Sequence, residues 1–130
     1  MKYLICIILS WFTFSAIAQT EIKLEDVRNH VGDSVKLMAK IYDGKYIESA
    51  VGRPTFLSVG NKFPNALLTL VIWEDVRKQF KSPPEEIYNK GNKEWIIGKI
   101  ILYKNKPQIV ITNPNQIYDV VGAPIERTSN

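Results

Sequence analysis

The chain has 130 residues, 45% apolar and 23% charged, with 17 Lys+Arg against 13 Asp+Glu. That length holds one compact domain rather than two, and the composition excludes both a disordered chain and an obligate polycation. The only cysteine, Cys6, lies in a charge-free run from residue 3 to residue 18, so the chain beyond residue 18 has no disulfide framework and no cysteine-based zinc site.

Met1-Lys2, the apolar run from Tyr3 to Ile17 and the small residues Ala16 and Ala18 have the layout of a secretory signal peptide cleaved before Gln19. The run is shorter than the roughly 20 residues of a membrane-spanning helix, and no second run of that length occurs. Export to a periplasmic or extracellular location is therefore expected, with no integral membrane segment after cleavage. Loss of Lys2 lowers the formal net charge from +4 to +3. The expected organisation is a signal peptide over 1–18, one folded domain over 19–122 and a loose tail over 123–130.

Leu24, Val27 and Val31 fall at i, i+3 and i+7, which predicts a short helix with Glu25 and Asp26 in its first turn and Gly32 closing it. From Ser34 the period becomes two. Val35, Leu37, Ala39 and Ile41 alternate with Lys36, Met38, Lys40 and Tyr42, the pattern of a strand with one buried face. Asp43-Gly44 is expected to open a loop running to Pro54. Thr55 to Val59 reads as a second strand. Leu67 to Trp73 fits a central strand, with a buried helix as the alternative.

Val76 and Phe80 suggest helical turns over 74–80, and Pro84 to Tyr88 a further turn after the Ser82-Pro83-Pro84 interruption. Trp95 to Tyr103 reads as a long strand bent at Gly98. Asn105-Lys106-Pro107 is expected to turn the chain, Gln108 to Thr112 to form the last strand, and Gln116 to Val120 a short edge segment.

Five strands, with a helix between the third and fourth, match an all-β OB-fold barrel with short helices, in which the loops joining strands 1–2 and 4–5 flank the binding face. The stretches HVGDSVKLMAKI, TFLSVGNKFPNALLTLVI and YKNKPQIVITNPNQIYDV resemble small secreted bacterial OB-fold domains named as nucleic-acid-binding-like. The resemblance rests on Gly32 before the first strand, Phe56-Leu57 with Gly60, Phe63-Pro64, and the basic hairpin from Lys104 to Ile111. It spans residues 24 to 120 and implies an OB-fold over the folded domain. Its implication for function is weaker, because the group is named largely by shape.

No catalytic constellation stands out, and no cofactor is expected. His30 is the only histidine, so neither a metallo-hydrolase nor a Ser-His-Asp arrangement finds its residues. The pairs Glu25-Asp26, Glu74-Asp75 and Glu85-Glu86 read as solvated helix starts. Staphylococcal nuclease uses an OB-type barrel, but the nearest counterpart of its arginine motif, Gly52-Arg53-Pro54, lacks the acidic residues. A binding role has more behind it, since OB-folds hold single strands with a positive groove and aromatic stacking platforms. The candidates are Lys36, Lys40 and Tyr42 on the outer face of the first strand, Lys45, Tyr46 and Arg53 in the expected first loop, and Lys104 and Lys106 in the hairpin. Lys90, Lys93, Lys99, Lys104 and Lys106 stand against one acid, Glu94, in that part of the chain. Two partner classes fit these residues. One is single-stranded nucleic acid; the other is an envelope protein or oligosaccharide with no charge requirement.

Overall fold

The structure, a computed structural model, describes residues 19–88 and 92–119. The signal-peptide segment, the tail and Lys90 lie outside the described residues. The described residues are mostly β, with seven strands and few short helices: β1 (Thr20–Glu21), β2 (Ser34–Tyr46), β3 (Thr55–Val59), β4 (Leu68–Ile72), β5 (Lys93–Tyr103), β6 (Lys106–Val110) and β7 (Ile117–Asp119). Two single-turn α-helices, α1 (Glu74–Arg77) and α2 (Pro84–Ile87), lie between β4 and β5.

The strands form one mixed sheet in the order β1-β2-β3-β4-β6-β5-β7, and β2 also pairs with β5. The path from β2 through β3, β4, β6 and β5 therefore returns to β2. Two long strands make this possible by changing partner midway. β2 pairs with β5 over Ser34–Lys40 and with β3 over Ile41–Tyr46, with a bulge between Ile41 and Asp43. β5 leaves β2 after Lys99 and pairs with β6 from Ile100. A bulge bends a strand and raises its twist, which turns a flat sheet toward closure. At Gly98, next to the change of partner, a Cβ would lie 2.4 Å from Ile109 Cγ2, so only glycine admits the crossing strand.

The expectation of five strands is corrected to seven. The additions are the edges: β1, two residues parallel to β2, and β7, which realises the segment expected over 116–120. The stripe Leu24, Val27, Val31 forms a 3-10 helix over Leu24–His30 rather than an α-helix. Three residues per turn keep Leu24 and Val27 on one face; the helix ends before Val31, which is its C-cap, and Val27 is buried while Val31 is 42% exposed. Gly32 comes next, at φ +90°.

Asp43-Gly44 does not start the loop: just past the bulge it pairs with Ser58 and Leu57 of β3, and β2 continues to Tyr46. Gly44 lies directly under α2: a Cβ there would sit 2.7 Å from Glu85 Cβ. The second hairpin is also tighter than expected. Lys104 and Asn105, with φ +49° and +61°, form its two-residue turn, and Lys106-Pro107 already belongs to β6. Positive φ at both central positions matches the right-handed strand twist.

The core is built on the alternation of each strand. Val35, Leu37, Ala39 and Ile41 of β2 join Leu57, Leu70, Ile96, Ile100, Ile109 and Ile117, with Val76, Phe80 and Tyr88 packed on them. β4 is buried on nearly its whole length, which decides for a central strand over a buried helix at 67–73.

Candidate ligand-binding groove

Residues opposite one another in adjacent strands point to the same side, so the outer surface can be traced through the register. Lys45 of β2 faces Phe56 of β3; Thr69 of β4 lies beside Gln108 of β6; Tyr103 of β5 faces Lys106 of β6. The loop from Asn61 to Leu67 brings Phe63, Pro64 and Ala66 over the same surface. Together they enclose a groove of about 390 Å³.

Its chemistry is one-sided. Lys45, Lys104 and Lys106 supply three cations, Phe56, Phe63 and Tyr103 supply three rings, and among the described residues no acid lines it. Lys45 Nζ lies 5.4 Å from the centre of the Phe63 ring and Lys104 Nζ 5.5 Å from that of Tyr103. Tyr103 is 56% exposed. Thr69 and Gln108 form a polar, half-buried floor.

Of the eight candidates, this groove gathers Lys45, Lys104 and Lys106. Lys40 and Tyr42 line a different cleft of about 490 Å³, together with Met38, Trp95 and Lys93. Glu21 and Glu25 also line that cleft and oppose its lysines. Lys36 lies over the Trp95 ring at 4.3 Å, and Trp95 stacks near Tyr118 with ring centres 6.5 Å apart.

Tyr46 is not a loop residue. Its hydroxyl donates to Glu74 Oε2 at 2.9 Å, and Glu74 holds the phenol above its ordinary pKa by accepting that hydrogen bond. The Arg77 guanidinium lies 3.7 Å from the Tyr46 ring centre, forms a two-pronged pair with Glu85 and donates to Thr55 Oγ1 at 3.1 Å. Glu74 and Glu85 are thus tied to the sheet rather than solvated. Arg53 lies in the 47–54 loop at φ +41° and lines neither cleft. The lysines numbered 93 to 106 are divided as well: Lys93 pairs across to Lys40, and Lys99 to Ser34.

Sequence reasoning did not single out Phe56, Phe63, Thr69, Tyr103 or Gln108 as ligand-binding candidates. The signal was parity: Phe56 stands between the buried Thr55 and Leu57, and Gln108 between the buried Pro107 and Ile109. His30 Nδ1 lies 3.1 Å from Asp33 Oδ2. Among the described residues no group of three or more His, Cys, Asp or Glu is placed to hold a metal ion, and no helix is long and apolar enough to cross a membrane.

No protein-family model matches the sequence, and no curated protein matches it. Among solved structures the chain is similar to a crystal structure assigned as an aspartyl-tRNA synthetase from Leishmania major Friedlin, at 9% identity and a TM-score of 0.48. The similarity covers 86% of this chain and 22% of that one, so the chain spans about a fifth of that protein's length.

Proposed function

We propose that the chain is an exported, non-catalytic binding module of the OB-fold type, and that the groove over β3, β4 and β6 holds single-stranded nucleic acid. The observation that carries the reading is the groove's composition: three lysines and three aromatic side chains with no acid among them. Bases stack on aromatic faces while lysines meet the phosphates, and an acid in that position would repel the backbone. The second cleft, whose lysines are opposed by Glu21 and Glu25, suits a polyanion less well.

The OB-type assignment is supported by the pairing path β2-β3-β4-β6-β5-β2 and by the helical turns between β4 and β5, the third and fourth of those five strands in chain order. In OB-folds the second and third strands and the hairpin between the last two form the ligand face. Here those are β3, β4 and the Lys104-Asn105 turn, which border the groove. The first loop, 47–54, takes no part in it. Export is supported by the run from Tyr3 to Ile17 ending in Ala16-Ile17-Ala18.

Fluorescence anisotropy with labelled single strands in ~20 mM salt, where electrostatic attraction is greatest, tests the reading. Binding is expected there, weakening as salt rises and with the Lys104→Glu, Lys106→Glu double variant. Absence of binding in low salt refutes it. Binding indifferent to salt and to both substitutions would assign the groove to an uncharged partner.

A further inference from the structure

Cleavage after Ala16-Ile17-Ala18 would leave Gln19 as the first residue, with a free α-amine. Gln19 is exposed and belongs to no strand. Directly behind it the chain is pinned to the sheet. Thr20 and Glu21 of β1 lie in register with Val35 and Lys36 of β2, and the Ile22 amide donates to the Lys36 carbonyl at 3.0 Å. A glutamine in first position carries a nucleophile and an electrophile on one residue, its own amine and its side-chain carbon Cδ, at the spacing that closes an unstrained lactam. The ring uses only atoms of Gln19, so it forms without disturbing the pairing of Thr20.

We infer, resting on the export reading, that Gln19 of the mature chain cyclises to pyroglutamate, and that this cap shields β1 from aminopeptidases. An α-amine titrates well below a lysine amine, so a usable fraction is unprotonated near neutral pH. That nitrogen adds to Cδ. The Cδ–Nε2 bond then breaks, and Nε2 leaves as ammonia with the proton given up by the α-nitrogen. No oxidant or other co-reactant is consumed. The lactam nitrogen is uncharged and lacks the free amine by which aminopeptidases hold a chain. What it guards is exposed: β1 is two residues at the edge of the sheet, where local opening costs little. Trimming Thr20 and Glu21 would strip the strand and bare the β2 backbone at Val35 and Lys36. Cyclisation also removes a positive charge two residues from Glu21, which lines the second cleft.

The test is expression of the full chain in a bacterial host, followed by intact-mass measurement after incubation near neutral pH. The expected mass is that of residues 19–130 less one ammonia, with N-terminal sequencing blocked until pyroglutamyl aminopeptidase is added. A free Gln19 that persists overturns the cap and leaves export standing. Cleavage at another bond does the same, and a retained leader overturns both. Digestion with a general aminopeptidase then tests the shielding. Wild type should keep Thr20 and Glu21, and Gln19→Ala, which cannot cyclise, should lose them. Equal resistance of the two proteins overturns the protective role and assigns it to the pairing with β2.

Discussion

Glu94 carries the sharpest physical prediction. It stands near the start of β5, 5% exposed, opposite Asp119 of the edge strand β7 and opposite Ala39 of β2. Its Oε2 is buried and, among the described residues, has no hydrogen-bond partner. Burial, reinforced by the Asp119 charge, raises its pKa from 4.5 to about 7. Below pH 4.5 the carboxyl is protonated in folded and unfolded chains alike and pH has no leverage through it. Between pH 4.5 and 7 the unfolded chain ionises while the folded one holds its proton, so stability falls as pH rises; above 7 the loss is complete. At about 1.36 kcal/mol per unit, the shift sets a ceiling of about 3 kcal/mol, and solvent screening at the sheet end brings the expectation to about 2 kcal/mol. Glu94→Gln keeps the shape and cannot ionise. Urea denaturation of both proteins from pH 4 to pH 8.5 should give a stability difference that grows in favour of the variant up to pH 7 and then levels. The fixed cost of burying the amide offsets the whole curve without changing its slope. Parallel stability curves for the two proteins would refute the argument.

Other substitutions separate the groove from its frame. Lys104→Gly removes a cation at φ +49°, a conformation costing a non-glycine residue about 1 kcal/mol; thermal stability should hold or rise while affinity for single strands drops. Its salt dependence should flatten by about 0.7 in the log–log slope if one phosphate contact is lost. Gly44→Ala drives a methyl into the α2 backbone, where Glu85 Cα would be 2.8 Å away, and should cost about 1–3 kcal/mol in chemical denaturation. Arg77→Met strands the Glu85 carboxylate and should cost about 3 kcal/mol, much of it recovered in the Arg77→Met, Glu85→Met double variant.

How legible each feature was in the sequence depends on how local it is. The alternation from Val35 to Tyr42 was visible because one face of β2 is buried along its whole first half, and period-two patterning records only that. The grouping of lysines was not visible, because it depends on where two strands change partner. The Ile41/Asp43 bulge and the crossing at Gly98 decide which lysines share a surface. Lys40 and Lys45 are five residues apart on one strand yet line different clefts. Lys45 and Lys104 lie far apart in the chain and line the same one. Asp43-Gly44 misled for a related reason: the pair has turn chemistry, yet it lies in register with Ser58 and Leu57 of β3, and its glycine is required by the close approach of α2 rather than by a reversal.

The same register explains why the groove and the scaffold can be altered independently. Along β3, Thr55 and Leu57 face inward, where Thr55 receives the Arg77 hydrogen bond, while Phe56 faces outward into the groove. Along β6, Pro107 and Ile109 are buried, and Lys106 and Gln108 face out. Over Thr55–Leu57 of β3 and Lys106–Ile109 of β6, every second residue therefore belongs to the core and the ones between to the groove. Substitutions at Phe56, Lys106 and Gln108 should move affinity with stability changes within about 0.5 kcal/mol, as for surface positions that anchor nothing. Substitutions at Leu57 or Ile109 should do the reverse, at about 2–5 kcal/mol for truncation to alanine. Comparing denaturation midpoints with single-strand affinities over these five positions tests the partition; affinity and stability falling together at the outward positions would show that the groove is part of the frame.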